Sequence, residues 1–242
     1  MTARLGEIWV YLAQSPLLWL AATVAAYAIA DAIHRRLGRH AAANPVLVAV
    51  SILLGVLYAS GTDYAVYFDG AQFVHFLLGP ATVALAVPLQ REMARVRARA
   101  IPLSLAVLAG SATAIVTAVG TAWLLGASRP TLVSLAPKST TTPIAMGIAE
   151  KLGGLPSLTA ALVILTGILG AVAGPAVLRR VGVRDAAATG FAMGVASHGI
   201  GTARAFQLDE RAGAFSGLGM GLNALVTSLI LPAILRLLGL WI

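Results

Sequence analysis

Apolar stretches long enough to form membrane helices follow one another along the chain, with short polar connectors between them. Because about 20 apolar residues in a helix cross a bilayer core, the pattern predicts spans at about residues 17–33, 44–58, 71–89, 102–125, 157–178, 186–206 and 212–238. Asn44 and Pro45 are typical of a helix start. Glycines interrupt two spans, at Gly79 and within residues 197–202. The predicted fold is an all-α polytopic membrane protein with about seven or eight spans and broken or re-entrant helices.

One polar stretch, residues 134–144, lies between apolar segments and carries a lysine, five hydroxyl residues and two prolines. Irregular polar backbone is tolerated at membrane depth only where it lines a cavity or is buried in protein. An ionisable side chain at that depth, such as Lys138, is by default a candidate functional residue. The alternative interpretation is a solvent-facing connector between two spans.

Composition supports a membrane protein and excludes several functions. Hydrophobic residues make up 59% of the 242 residues and charged residues 11%, against roughly 25% in soluble proteins, and the mean hydropathy is +0.88. The absence of cysteine excludes disulfides and thiolate metal sites. The net charge of +8 comes from basic residues at span ends, without aromatic interleaving, which argues against nucleic-acid binding. Without zinc-ligand histidine spacing or a Gly-x-Ser-x-Gly motif, we expect no enzyme.

The basic connectors predict the topology. Cytoplasmic loops carry the excess of lysine and arginine, so the connectors at residues 34–40, 91–99 and 179–184 should all be cytoplasmic. If residues 131–152 crossed the membrane fully, the last connector would lie outside; if they are re-entrant, it lies inside. We favour the re-entrant alternative, which also explains the polar centre. The arginines of residues 91–99, Arg99 among them, are then topology signals only.

A weak internal similarity predicts two inverted repeats, residues 44–125 and 157–240, within a single transmembrane domain. In it Gly79 aligns with Gly199, and Thr82 aligns with Thr202. Glycine-interrupted segments at matching places in two inverted halves indicate the binding site of a secondary transporter. The alternative is chance similarity between apolar sequences.

The residues around the interruptions suit a small carboxylate, because half-helix N-termini favour anions. Lys138 and Arg204 add positive charge, hydroxyls add donors, and the glycines let backbone approach closely. His198 is either a proton-coupling group or a structural hydrogen-bond partner. The candidate binding residues are Lys138, Ser139, Thr140, Thr141, Thr142, Ser197, His198, Gly199, Gly201, Thr202 and Arg204, with Gln72, His75 and Thr82 from the third span.

Two further residues bear on this hypothesis. A charge pair between Lys138 and Glu150 would neutralise the lysine and undercut a binding role. Asn223 in the last span is expected to form an interhelical hydrogen bond rather than to contact a ligand. We expect no cofactor beyond a coupling proton or sodium ion.

Four stretches together resemble the CidB/LrgB family of membrane proteins. They are SLAPKSTTTPIAM at residues 134–146, EKLGGLPSLT at 150–159, QFVHFLLGPATVALAVPL at 72–89 and ASHGIGTAR at 196–204. The resemblance covers nearly the whole chain from about Ser15. Gly147 departs from it, since a larger residue is expected there, and the tail after Asp209 is generic.

The resemblance implies two alternative functions in the cytoplasmic membrane. One is an antiholin-like or holin-like protein that modulates murein hydrolase export and autolysis with a small CidA/LrgA-type membrane partner. The other, implied by related plastid glycolate/glycerate translocators, is a carrier of small monocarboxylates such as glycolate, glycerate or pyruvate. The polar residues at membrane depth favour a carrier that works by alternating access. Exposed apolar faces are compatible with a homodimer.

Overall fold

The computed structural model describes residues 15–40, 43–77, 80, 83–237 and 239, and at position 75 the backbone alone. Every regular element in these residues is a helix. In chain order they are α1 (Pro16–Arg36), α2 (Pro45–Ser60), α3 (Tyr64–Phe76), α4 (Ala86–Arg91), α5 (Met93–Ala98), α6 (Ala100–Leu124), α7 (Arg129–Leu135), α8 (Thr142–Lys151), α9 (Pro156–Arg180), α10 (Ala186–Leu208) and α11 (Glu210–Leu237).

The helices divide into two compact units, residues up to 84 and residues from 85 onward. Among the described helices, α1, α6, α9 and α11 are long and apolar enough to cross a membrane, and α2 is a shorter apolar helix. The protein is therefore an all-α polytopic membrane protein, as predicted. The number of spans and the inverted repeat remain predictions, and the predicted break at Gly79 lies outside the described residues.

The first unit packs α1 against α2 and α3. At the start of α2 the Asn44 side chain accepts hydrogen bonds from the backbone N–H groups of Val46 at 2.9 Å and Leu47 at 3.3 Å. This confirms the N-cap that the Asn44–Pro45 pair predicted. Small residues of α1, Ala26 and Ala30, form a buried cluster with α2.

Residues 61–70 lie between two predicted spans and were therefore expected to be a connector; that prediction is wrong from Tyr64 onward, where α3 begins. Tyr67 packs edge-on against Trp19 with ring centroids 5.8 Å apart, and its hydroxyl accepts a hydrogen bond from Thr23. Gly70 lets the two backbones approach, since a Cβ there would overlap the carbonyl oxygen of Pro16. These tertiary contacts with α1 stabilise a helix that the local sequence does not signal.

The second unit is built on α10 and α11, which pack closely against each other. Gly190 and Gly194 allow close contact, because a Cβ at either position would overlap backbone of α11. Phe191 and Phe215 form a buried cluster with Val107 of α6. A second cluster packs α7 against α6 and the C-terminal half of α11; it contains Ile115, Val119, Leu132, Val133, Leu231 and Leu235.

Residues 129–151 form two short helices that double back. At about 1.5 Å per residue, α7 is roughly 10 Å long and α8 roughly 15 Å, against about 30 Å of bilayer core. The Ser134 hydroxyl accepts a hydrogen bond from the backbone N–H of Leu155 at 2.7 Å, and Thr159 donates to the Ser134 carbonyl at 3.1 Å. The chain after α8 therefore returns to the level of α7, so that α7 and α8 form a hairpin, and the re-entrant path through a membrane stays a prediction.

Ion pairs at the opposite end of the unit agree with this path. Arg99, just before α6, lies 3.6 Å from Asp185, just before α10. The start of α6 and the end of α9 are thus at the same end, so the segment between these helices leaves and returns at the other end. Nearby, Glu92 pairs with Arg95 and Arg211, and the hydrogen bond from Arg95 holds the pKa of the Glu92 carboxyl below its usual value.

Candidate functional site

The turn between α7 and α8 is held in the middle of the second unit by one asparagine. The Asn223 amide, half-way along α11, donates to the Ser139 carbonyl at 2.9 Å, while its oxygen accepts from the Ser111 hydroxyl of α6 at 2.6 Å. Thr140 is fully buried and donates to the carbonyl of Pro137 at 2.9 Å. The polar turn is therefore buried in protein between helices, and Asn223 makes the predicted interhelical bond.

Helix α10 is broken at Ser197 and His198, within the predicted interruption. His198 has φ 40° and ψ −136°, a conformation that is strained for a residue with a side chain. Its ring nitrogen Nε2 donates to the carbonyl of Val163 at 2.9 Å. In α9, Gly167 and Gly170 leave room for His198 and Ser197, since a Cβ at either glycine would collide with them. His198 thus forms a structural hydrogen bond at the break, and the proton-coupling role stays a prediction.

A cavity of about 810 Å³ lies between the turn and the break. Lys138, Ser139 and Ser197 bring the two predicted polar stretches together on its wall. The remaining wall is largely apolar and comes from one face each of α6, α9, α10 and from Phe215 of α11; it includes Leu103, Ala106, Gly110, Ala114, Leu169, Phe191 and Val195.

Lys138 is a cation on the wall of this cavity, on the turn between α7 and α8. Its ammonium group lies 3.3 Å from the Ser139 hydroxyl. Across the described part of the chain, no carboxylate lies within 4.0 Å of it, and Glu150 is exposed. The charge pair that would have undercut a binding role is therefore not formed. The N-terminus of α8 lies four residues further along the chain, at Thr142.

The other predicted binding residues of the second unit lie around the turn and the break but differ in burial. Thr141 precedes the first residue of α8, Thr142, and both are half-buried. Thr202 is buried and donates to the carbonyl of His198 at 2.9 Å. Gly201 packs inside α10, whereas Gly199 is exposed next to Met220.

Arg204 does not line the cavity. It lies about two turns, or roughly 10 Å, beyond the break along α10, and its guanidinium donates to the Gln207 side chain at 3.0 Å. The predicted pairing of Lys138 and Arg204 around one carboxylate has no geometric support in the described residues.

The residues predicted from the third span belong to the first unit or are not described. Gln72 donates to the backbone of Asp69 at 2.8 Å on the exposed side of α3. His75 is described by its backbone alone, and Thr82 lies outside the described residues. Their predicted position opposite the cavity remains a prediction.

Sequence reasoning missed one charged residue of the cavity. Arg99 lines it, although the sequence suggested only a topology signal. The available signal was its position as the last basic residue before an apolar helix, with a helical series of small residues after it. Within the described part of the chain, no cluster of histidine, aspartate or glutamate is placed to hold a metal ion.

The comparisons with known proteins identify the family. The chain matches the LrgB-like family over residues 23–237. The chain belongs to the LrgB-like family. An uncharacterised protein of Bacillus subtilis, YwbG, is 38% identical over 88% of this chain and 94% of its own length. Holin-like protein CidB of Staphylococcus epidermidis is 33% identical over 80% and 85%, and that of Staphylococcus aureus is 31% identical over 80% and 85%.

No solved structure gives a significant match to the chain. The similarity to the CidB proteins covers most of both chains, which confirms the resemblance seen in the four sequence stretches. LrgB-like family membership and the apolar helices together establish a multi-pass membrane protein.

Proposed function

We propose that this LrgB-like protein carries small monocarboxylates, of the glycolate, glycerate or pyruvate type, across the cytoplasmic membrane by alternating access. The observation that supports this most is Lys138, a lysine without a carboxylate partner among the described residues, on the wall of a cavity of about 810 Å³. An ionisable side chain between membrane helices costs free energy, so its presence there favours a role in ligand binding.

The chemistry of the wall favours an anion. Its two charged residues, Arg99 and Lys138, are both basic, and no acidic residue is among the described lining. Hydroxyls of Ser139 and Ser197 supply donors for carboxylate or hydroxyl oxygens of a solute. The volume lies within the range of small-molecule sites, which is roughly 300–1,000 Å³.

The second candidate is a holin-like or antiholin-like membrane protein that modulates murein hydrolase export and autolysis with a small CidA/LrgA-type partner. The names of the staphylococcal relatives favour it more directly than they favour transport, because those names mention no transported acid. The cavity with its half-buried lysine favours the carrier, since a pore assembled from simple spans has no need of either. Neither candidate is an enzyme, and either could act as a homodimer.

Uptake of labelled glycolate, glycerate and pyruvate into proteoliposomes that contain only this chain tests the carrier. We expect saturable uptake by the wild type and a loss of at least about tenfold in Lys138→Ala, because a charge-assisted contact is removed from the site. Lys151→Ala is the matched control, since Lys151 is an exposed lysine at the end of the same hairpin. Arg204→Ala should transport like wild type.

Three results would contradict the carrier. Equal leakage of the acids and of an unrelated solute such as sucrose would indicate a pore. Uptake only after addition of the small partner would make this chain a subunit. Equal uptake by Lys138→Ala and wild type, with both proteins folded, would show that Lys138 has no binding role.

A further inference from the structure

The cavity has a second charged position, at the opposite end from Lys138. Arg99, which immediately precedes α6, and the α6 residues at positions 102, 103, 106, 110 and 114 line it; their separations of three and four residues place them on one helix face. Over this length α6 advances roughly 22 Å. Arg99 is the first residue of the series, next to the N-terminus of α10, and the wall between it and Ser139 is largely apolar. Asn223 connects Ser139 to Ser111, so Lys138 lies near the far end of this series. We call the half-exposed Arg99 end the mouth and the Lys138 end the floor.

The two cations differ in what surrounds them. Arg99 lies 3.6 Å from the carboxylate of Asp185, and each side chain is about half exposed, at 52% and 50%. Lys138 has no such partner in the described residues. A charge-assisted hydrogen bond is shorter, at about 2.7–2.9 Å, and exposed pairs are weak. The contact between Arg99 and Asp185 at the mouth is therefore a weak ion pair.

Asp185 has a second contact that fixes its position. Its carboxylate oxygen accepts a hydrogen bond from the backbone N–H of Ala188 at 2.8 Å and so caps α10. The carboxylate stays at the mouth when Arg99 moves. The flexible arginine can therefore exchange Asp185 for another carboxylate, which its planar guanidinium can hold through two parallel hydrogen bonds.

We propose that Arg99 is the first anion-binding residue of the cavity and that Asp185 is the internal carboxylate that competes for it when no solute is present. The Arg99–Asp185 pair then determines how strongly the mouth attracts anions and how readily it releases them toward Lys138. This inference rests on the proposed function, in which the cavity takes up a small carboxylate.

The absence of cysteine in the chain allows a test that needs no known substrate. Ala106→Cys places a thiol on the cavity wall inward of Arg99. Its rate of modification by a sulfonate-bearing methanethiosulfonate is compared with the rate for a trimethylammonium reagent. In this background Arg99→Ala should lower the anion-to-cation rate ratio by about tenfold, and Asp185→Asn, which keeps the helix cap, should raise it severalfold.

Arg97→Ala is the matched control. Arg97 belongs to the same basic segment, is exposed, and does not line the cavity. If Arg97→Ala lowers the ratio as much as Arg99→Ala does, or if Asp185→Asn leaves it unchanged, the mouth role of the pair is wrong. A purely structural role of Arg99 would slow both reagents alike, so it would not change their ratio.

Uptake of labelled glycolate, glycerate and pyruvate separates failure of this inference from failure of the proposed function. We expect Arg99→Ala to raise the half-saturation concentration by about tenfold and Asp185→Asn to lower it by about threefold. One result would contradict the mouth inference alone: the wild type transports, Lys138→Ala does not, and Arg99→Ala and Asp185→Asn have the same half-saturation concentration as Arg97→Ala. If no wild-type uptake occurs, the carrier falls, and the inference with it.

Discussion

Two glycines of α9 decide, at the scale of single residues, whether the break in α10 can form. Gly170 faces Ser197, and Gly167 faces the ring of His198. A strained backbone such as that of His198 persists only where neighbouring contacts stabilise it. Here the two glycines make room for the side chains of Ser197 and His198, and the hydrogen bond to Val163 holds the His198 ring. The floor of the cavity depends on this arrangement because Ser197 lines it.

Substitution of Gly170 by alanine should therefore displace the break. The added methyl would lie 2.7 Å from Ser197 Cβ, so rotation of the hydroxyl alone cannot relieve the overlap. We expect a loss of about 1–3 kcal/mol of stability, measured as a lower unfolding temperature in detergent, together with reduced uptake. Gly174→Ala is the control, because its Cβ would meet Met193 at an ordinary 3.9 Å. Equal behaviour of the two variants would contradict the packing described for the break.

At the scale of elements, Asn223 joins three parts of the second unit. It bonds α6 through Ser111 and the turn between α7 and α8 through the Ser139 carbonyl. Its oxygen also accepts from Thr227 in its own helix at 3.3 Å. A buried polar network of this kind fixes the position of a turn that apolar packing alone would leave free to slide.

Asn223→Ala should loosen the turn by leaving the Ser139 carbonyl and the Ser111 hydroxyl without this partner. The expected destabilisation is about 1–2 kcal/mol, within the range found for interhelical hydrogen bonds in membranes. Faster hydrogen exchange of residues 136–141 than in wild type would report the loosening. Ser228→Ala, which loses only a bond to its own helix, should leave that exchange unchanged; similar exchange in both variants would contradict the bridging role of Asn223.

At the scale of the whole molecule, the sequence predicts where helices lie along the chain better than it predicts which residues contact one another in the fold. The bounds of α6, α9, α10 and α11 agree with predicted spans to within a few residues, because a long apolar run is a local signal. The first half of α3, residues 64–70, was missed because it packs on Trp19 and Pro16, which are far away in the chain.

Charged residues show the same limit within the candidate site. Arg204 follows His198 closely in sequence, yet it lies beyond the cavity and contacts Gln207. Arg99 has the same local pattern as the neighbouring arginines of its connector, and only the packing of α6 against α10 brings it to the cavity. Lys138 could be predicted because a lysine between apolar segments is unusual in itself.

The path of the chain through the second unit predicts which of its ends faces the cytoplasm. Since Arg99 and Asp185 are neighbours, the connectors on either side of the hairpin lie at one end of the second unit. The hairpin's own ends, near Ser128 and Lys151, must then face the other end. Four exposed positions report this in single-cysteine variants of a chain that lacks cysteine: Arg97→Cys, Ser128→Cys, Lys151→Cys and Arg184→Cys.

An impermeant thiol reagent applied to intact cells should label positions 128 and 151 and spare positions 97 and 184, because basic connectors stay in the cytoplasm. All four should be labelled once the membrane is permeabilised, which controls for accessibility. Labelling of 184 while 151 is spared would mean that the hairpin crosses the membrane. In that case Ser134 and Leu155 could not share a hydrogen bond, because the full thickness of the bilayer would separate them.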